Sequence, residues 1–206
     1  MSGAAIQHSA KPDENKFVLR SVWERFALYD ENANRLQRCF SRLQIWILAL
    51  GVVATILALS QTQFKSSLEL LVVPNTALKD VILIMPITIS VLVAAANRFK
   101  YGTKWVLLRA SAEAIKSEIY RYRTKAEKYS DQQRGQTSRD EVLSNQIKII
   151  SQRLMQSEVN VSALEPYGGP IPPKMSGAEA QDDGLSDLTP ESYITIRVAN
   201  QLTYYK

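Results

Sequence analysis

The stretch that decides the fold runs from residue 81 to residue 105 and reads VILIMPITISVLVAAANRFKYGTKW. Its first 16 residues carry no charge, and the stretch becomes basic from Arg98 onward. A second uncharged apolar run, LQIWILALGVVATILALS, occupies residues 43–60, with Trp46 near one end. A membrane-spanning helix needs roughly 20 apolar residues. Residues 43–60 and 78–97 are therefore predicted to be either two transmembrane helices or two buried helices of a soluble bundle.

The distribution of charge favours the transmembrane pair. The net charge of +5 and the 22% of charged residues are ordinary for a soluble protein, but the charges are placed unevenly. The connector, residues 61–80, holds two basic and two acidic residues, which cancel. The outer ends of the two runs carry seven basic residues with no acidic residue among them: Arg35, Arg38, Arg42, Arg98, Lys100, Lys104 and Arg109. Since Lys and Arg accumulate on the cytoplasmic side of membrane helices, we expect a plasma-membrane hairpin with both termini cytoplasmic and these seven residues at the membrane surface.

One face of the second run is small and mildly polar. Pro86, Ser90, Ala94 and Asn97 follow one another at helical spacings of four and three, so they share a face. A proline inside a soluble helix costs about 3 kcal/mol. A membrane helix tolerates it when neighbouring groups satisfy the freed backbone atoms. The face is predicted to be either a helix contact, where small residues let backbones approach, or the lining of a pore.

The flanks of both runs carry apolar residues at alternating steps of three and four. Such a stripe needs a partner, and the two flanks leave the membrane side by side. The sequence therefore predicts an all-α integral membrane protein whose hairpin continues into a long cytoplasmic antiparallel coiled-coil stalk, with a second arm from about residue 97 to residue 130. Gly102 lies in this arm, either as a bend or as a tolerated helical glycine. The residues expected to pack in the stalk are Phe26, Tyr29, Leu36, Phe40, Trp105, Leu108, Ile115, Ile119 and Tyr122.

The polar ends of the chain predict less structure than the middle. Residues 1–16 are expected to be a disordered leader, and residues 17–160 a two-transmembrane helical domain with its stalk. Within that domain the sequence SRDE at 138–141 predicts a capping box, and so a further helix that folds back on the stalk.

After this domain the composition changes. Residues 161–189 are rich in Pro, Gly and acidic residues, which predicts a disordered linker. The pair Thr189-Pro190 is typical of a helix start, so residues 190–206 are predicted to form an amphipathic helix. Because no helix C-cap precedes Lys206, a further segment beyond it, or a cytoplasmic partner, is also expected.

The sequence contains no signature of an enzyme or of a cofactor site. It has no glycine-rich phosphate loop and no His/Cys/carboxylate cluster at metal spacing. The single cysteine, Cys39, excludes a disulfide within the chain. The single histidine, His8, lies in the polar leader, and no Ser/His/Asp set is expected. Residues 98–139 carry a net charge of +7, and residues 140–206 a net charge of −4. The basic arm is typical of a surface that meets anionic lipid headgroups. The alternative, a nucleic-acid site, lacks any recognised motif, and we expect no nucleic-acid partner.

Taken together, the membrane pair and the segment after it resemble a known family. The segment KWVLLRASAEAIKSEIYRYRTKAEKYS is similar to that of the SLATT family, the SMODS- and SLOG-associating two-transmembrane effector domains, a group that includes bacterial membrane domains of unknown function. The matching residues are Trp105, Arg109, Ala110, Glu113, Glu118, Tyr120, Tyr122, Arg123 and Tyr129. The end of the chain resembles the opening of a second such unit through Tyr193, Arg197, Gln201, Tyr204 and Tyr205. The first unit departs from that opening pattern: it has Trp23 and Tyr29 but lacks the matching Arg and Gln.

The resemblance implies a membrane effector, and this sets the functional expectations. The first is a homo-oligomeric channel or pore-forming subunit in a bacterial inner membrane, because two helices cannot enclose a pore alone. The alternative is a non-conducting membrane-anchored scaffold whose stalk mediates oligomerisation. In both, the expected partners are the lipid bilayer and further copies of the chain.

Overall fold

The structure is a computed structural model that describes residues 12–63, 75–133, 135–157, 159–174 and 177–198. Every regular element within those ranges is helical, so the all-α prediction is confirmed. The longer helices are α1 (Pro12–Gln63), α2 (Asn75–Phe99), α3 (Tyr101–Arg123) and α4 (Arg139–Met155). The shorter elements are α5 (Pro190–Tyr193), a π-helical turn (Ile194–Val198) and the 3-10 turns Glu127–Tyr129, Val161–Ala163 and Gly177–Gln181.

The chain divides into two compact units, which are described separately. The hairpin unit comprises residues 34–105, and the bundle unit comprises the described residues up to 33 together with those from 106 onward. Of the predicted leader, residues 12–16 already belong to α1, which is a correction, while residues 1–11 with His8 lie outside the described residues. Gln201, Tyr204 and Tyr205, near the other end of the chain, also lie outside the described residues.

The hairpin unit contains the two apolar runs, inside α1 and α2. Both helices are long and apolar enough to cross a membrane by length and composition, and none of the residues in their most apolar 18-residue stretches is buried. Each helix has a half-buried stripe at steps of three and four, while the apolar residues on its other faces are exposed. The stripes are Leu43, Ile47, Leu50, Ala54 and Leu57 on α1, and Ile82, Met85, Ile89, Leu92 and Ala96 on α2.

The predicted second arm is not one helix from residue 97 to residue 130. α2 ends at Phe99, Lys100 has a positive φ of 49°, and α3 begins at Tyr101. Gly102 is therefore not the bend. It lies inside α3, where a Cβ atom would sit 3.2 Å from the ring of Phe40, and its lack of a side chain permits this close approach.

The arm also ends earlier than predicted, at Arg123. Lys125 and Glu127 both have positive φ values, and the 3-10 turn that follows returns Tyr129 to the core, where it is 1% exposed. The tertiary contacts of Tyr129 end the helix here. The heptad pattern describes only continuous helices, so it could not predict this turn.

The bundle unit is built on an antiparallel contact between α1 and α3. Asp30 of α1 pairs with Arg109 of α3, and the centre of the Phe26 ring lies 5.8 Å from the Lys116 ammonium. The earlier residue of α1 thus meets the later residue of α3, so the two helices run in opposite directions. Ser138 is the N-cap of α4, as predicted, and its side chain accepts a hydrogen bond from the Asp140 N–H. α4 packs onto this pair as a third helix. Its buried residues are Leu143, Ile147, Ser151 and Leu154.

Much of the segment predicted as a disordered linker, residues 161–189, is bonded to the helices. The buried Asn32 side chain donates to the Glu165 carbonyl (2.9 Å) and accepts from the Glu165 N–H (3.0 Å). Trp23 Nε1 donates to the carbonyl of Gly184 at 2.7 Å. Composition could not reveal this, because Asn32 and Trp23 lie more than 130 residues away along the chain from the groups that they bind.

Replacing Asn32 by Ala should loosen this attachment. The change leaves two backbone groups of Glu165 without their partner, so the free energy of unfolding of the bundle unit should fall by about 1–3 kcal/mol. Urea unfolding in detergent, followed by tryptophan fluorescence, measures it. The matched control is Asn145→Ala, at an exposed position of α4, where a change within about 0.5 kcal/mol is expected. Equal effects at the two sites would contradict the assignment.

Candidate functional site

The face of α2 that carries Pro86, Ser90, Ala94 and Asn97 is exposed at all four positions. It differs from the half-buried stripe of the same helix, so within the described residues α1 does not cover it. The face is therefore open to lipid, to another copy of the chain or to water.

Hydroxyl groups in the apolar helices are satisfied locally. Ser90 Oγ donates to the Pro86 carbonyl at 2.8 Å, and Thr88 and Thr55 make the same bond to the residues four positions earlier. Such bonds let Ser and Thr sit in an apolar helix without an unpaired donor. The acceptor lone pairs of the Ser90 oxygen remain available on the exposed face.

The seven predicted surface cations fall into two groups. Arg35, Arg38, Arg42, Arg98, Lys100 and Lys104 belong to the hairpin unit, and all are exposed except Lys104, which is half-buried. Arg109 belongs to the bundle unit. It pairs with Asp30 and, at 3.0 Å, with Glu113. It forms an ion pair between α1 and α3, and its placement at the membrane surface stays a prediction.

The predicted stalk residues lie on the inner faces of the helices. Leu108, Ile115 and Ile119 are 0% exposed. Phe26, Tyr29 and Tyr122 are also buried. The three that lie in the hairpin unit, Leu36, Phe40 and Trp105, are half-buried.

A fully buried guanidinium lies at the end of α3. Arg123 is 0% exposed, and its two terminal nitrogens donate to the two carboxylate oxygens of Asp182 at 2.6 Å each. Its Nε donates to the Ser186 carbonyl at 2.7 Å. Arg123 thus binds residues 182–186 through three charge-assisted bonds, the strongest kind in proteins.

A second ion cluster surrounds Glu179. This carboxylate accepts from Lys116 and from Arg197, both at 3.0 Å, and the Glu179 side chain is 4% exposed. The Tyr120 ring has Arg123 and Arg197 5.8 Å and 5.4 Å from its centre. Burial, with the negative charge of Glu179, raises the pKa of Tyr120 well above its usual value.

A third cluster binds the 3-10 turn to the helices. Glu118 accepts from Tyr129 at 2.6 Å and pairs with Lys128 at 2.9 Å. Tyr122 donates to Asp140, and the Arg139 guanidinium lies 4.3 Å from the Tyr122 ring centre. Burial, followed by these carboxylate contacts, raises the pKa of both tyrosines, so both hydroxyls stay protonated donors at neutral pH.

These clusters are suited to holding segments together rather than to reacting. Asp182, Glu179 and Glu118 each pair with a cation, and the described residues contain no group of three or more His, Cys, Asp or Glu side chains that could hold a metal. Sequence reasoning placed Arg123 on an aromatic and basic stretch but missed Asp182 as its partner. It also missed Glu179 as the partner of Lys116 and Arg197. The signal available in the sequence was charge: residues 98–139 have a net charge of +7 and residues 140–206 a net charge of −4. Opposite charges predict that the two segments attract each other.

Breaking the buried Arg123–Asp182 pair should cost far more than breaking an exposed one. Arg123→Met strands the Asp182 carboxylate, and a loss of about 3–5 kcal/mol in unfolding free energy is expected. The double variant R123M/D182L removes both charges and should recover much of that loss. Urea unfolding of the single and double variants measures the coupling.

The control for this cycle is Lys125→Ala. Lys125 pairs with Asp187 at 2.9 Å, and both side chains are largely exposed. A loss below about 1 kcal/mol is expected for it. Additive losses in the Arg123 and Asp182 variants would show that the two residues do not act as a pair.

Comparison with known families gives a match over much of the chain. The model of a family described as Protein of unknown function (DUF4231) matches residues 24–137, more than half of the chain. The matched range contains both apolar runs, all of α3 and the 3-10 turn that carries Tyr129. No curated protein and no solved structure matches the chain.

Proposed function

The chain belongs to the DUF4231 family of proteins of unknown function, and on that premise we propose that it is a homo-oligomeric membrane channel or pore-forming effector subunit. In this proposal α1 and α2 cross the inner membrane as a hairpin with both termini cytoplasmic. The bundle unit then lies in the cytoplasm, and several copies surround a pathway for ions or small solutes. The resemblance to SLATT domains, which are proposed membrane effectors, points in the same direction.

The observation that carries the proposal is the exposed face of α2 through Pro86, Ser90, Ala94 and Asn97. This face is small and mildly polar in a helix that is otherwise apolar, and α1 leaves it uncovered. Polar residues within membrane helices typically face a bundle interior or a water-filled cavity rather than lipid. Small residues there let neighbouring copies approach closely.

Burial data also support insertion of the hairpin. A soluble protein buries its largest apolar surfaces, yet the most apolar parts of α1 and α2 are not buried. Exposed side chains there include Leu48 at 70%, Leu83 at 70% and Val91 at 62%. Lipid is the solvent in which such a surface is stable.

Conduction is tested by ion flux into liposomes that contain the purified protein. Ser90→Leu with Asn97→Leu makes the face apolar, and flux should fall by roughly tenfold or more because a narrow apolar pore loses its water. The control is Ile87→Leu with Val91→Leu, two exposed apolar residues of the same helix, which should leave flux unchanged. Purified oligomer that never conducts would contradict the channel.

The same double variant separates the channel from a non-conducting scaffold. A scaffold should retain its oligomeric state and its biological effect in the S90L/N97L variant. Ile119→Asp, which puts a charge at a residue that is 0% exposed, should abolish the effect in either case because the bundle unit loses its core.

The orientation of the α2 face is tested by disulfide cross-linking in membranes. In a Cys39→Ser background, Ala94→Cys should form intermolecular disulfides on oxidation, because Ala94 lies on the proposed face between copies. The control is Thr88→Cys, which is also exposed but lies about 160° around the helix from Ser90 at 100° per residue. Equal cross-linking at both positions would contradict the assignment, and the readout does not depend on conduction.

A further inference from the structure

We propose that residues 179–198, called the strap, are exchanged between copies of the chain; this rests on the proposed homo-oligomer and deepens it. In one copy alone the strap closes on its own α3, and in the assembly it closes on α3 of a neighbouring copy. The surface that receives it is the face of α3 through Lys116, Tyr120 and Arg123. These residues are spaced by four and three positions, so they lie on one side of the helix.

The strap is attached to α3 mainly by charge. Of residues 179–198, all of which the structure describes, only Glu179 and Gly184 are buried, while Ile194 and Val198 are exposed. Because charged groups regain their hydration in water, the strap detaches without pulling apolar side chains of its own out of a core. Three ion pairs join it to α3, with 2.6 Å, 3.0 Å and 3.5 Å between the charged atoms: Asp182 with Arg123, Glu179 with Lys116, and Arg197 with Glu113.

Two anchors show where the part that moves begins. Glu165 is bound through both of its backbone groups to the buried side chain of Asn32 on α1. Pro172 lies against Gly184 of the strap, where a Cβ atom would come within 2.7 Å of the proline ring. Residues 166–171, called the connector, therefore join a part that stays on α1 to a part that moves with the strap.

The connector has length to spare. The Tyr167 hydroxyl donates to the Pro170 carbonyl at 3.3 Å, so the chain folds back on itself there. Gly168 and Gly169 are exposed, and opening the connector at these two residues uncovers no core. Six extended residues span about 20 Å at roughly 3.3 Å each, which is the width of about two helices. The connector is therefore long enough to carry the strap to a bundle unit that lies beside its own.

The partner that fits this face of α3 is a second copy of the chain. The strap carries five acidic residues and one basic residue, a net charge of −4, which complements the cations of the face. Arg123 is buried, and a buried cation without partners is strongly destabilising. The strap of another copy supplies the same partners, the Asp182 carboxylate and the Ser186 carbonyl. Exchange of an identical element therefore joins two copies without the loss of a contact.

The ion pair between Lys125 and Asp187 reports which chain a strap binds. The ammonium and the carboxylate lie 2.9 Å apart, and 58% and 44% of the two side chains are exposed, so a carbodiimide reaches them and joins them through an amide bond. Two full chains with different affinity tags are co-expressed, one with Asp187→Asn and the other with Lys125→Gln. The mixed assembly is purified through both tags, and its elution profile should match that of the wild type because both positions are largely exposed.

In the mixed assembly the intact Lys125 and the intact Asp187 lie on different chains. A peptide that joins residues 125 and 187, identified by mass spectrometry, therefore forms only if the strap of one chain lies on the other. Its yield should be about a quarter to a half of the wild-type yield, depending on how many copies assemble.

The matched control uses the pair Lys128–Glu118, which is also 2.9 Å apart and lies outside the strap. With Lys128→Gln on one chain and Glu118→Gln on the other, no peptide that joins residues 118 and 128 should form.

Three outcomes would overturn the exchange. If the joined peptide forms in the wild type but not in the mixed assembly, each strap stays on its own chain. If it does not form in the wild type, the strap does not lie where the ion pair places it. Equal yields in the strap pair and the control pair would indicate non-specific contact between chains.

The proposed function and the exchange fail in different ways. If no mixed assembly is obtained, the chain is not a homo-oligomer, and both are overturned. Chains that are joined through the strap but conduct no ions support the exchange and contradict the channel alone. An assembly that conducts ions but gives no joined peptide supports the channel and overturns the exchange.

Discussion

The bundle unit depends on a buried guanidinium whose charge must be neutralised inside the protein. Transferring such a group out of water costs several kcal/mol even after relaxation, and Arg123 is 0% exposed. The cost is offset only if Asp182 and the Ser186 carbonyl stay in place. The position of residues 182–186 is thereby fixed by α3, and the Gly184 carbonyl is brought to Trp23 of α1. One charge therefore links three parts of the chain that are far apart in sequence.

Sequence periodicity anticipated the inner faces of the helices because burial repeats with the helical turn. Leu108, Ile115 and Ile119 were placed on one stripe by spacing alone, and all three are buried. The same argument failed at Arg123, where the helix ends, since the turn that follows is set by the contact of Tyr129 with Glu118. The argument from composition failed for residues 161–189, whose order depends on Asn32, Trp23 and Arg123. Local patterns carry no information on such distant partners.

The proposed site was only half accessible from the sequence. Spacing put Pro86, Ser90, Ala94 and Asn97 on one face of a helix, but it could not say whether α1 covers that face. The structure answers this within the chain: the α2 stripe that is half-buried is the one through Met85 and Ile89. Charge counting likewise grouped Arg109 with the other cations, although its carboxylate partners assign it to the bundle unit.

Polarity on the exposed α2 face is too slight for one copy to stabilise water or ions. Each chain offers the acceptor lone pairs of Ser90 and the amide of Asn97, while proline at position 86 withholds the N–H that would bond the Ile82 carbonyl. In an apolar solvent that carbonyl needs another donor. Cyclic symmetry multiplies each of these groups by the number of copies around one axis. An assembly that turns these faces inward therefore gathers weak polar groups into rings, which is the arrangement by which ion pathways replace the hydration shell of a permeating ion.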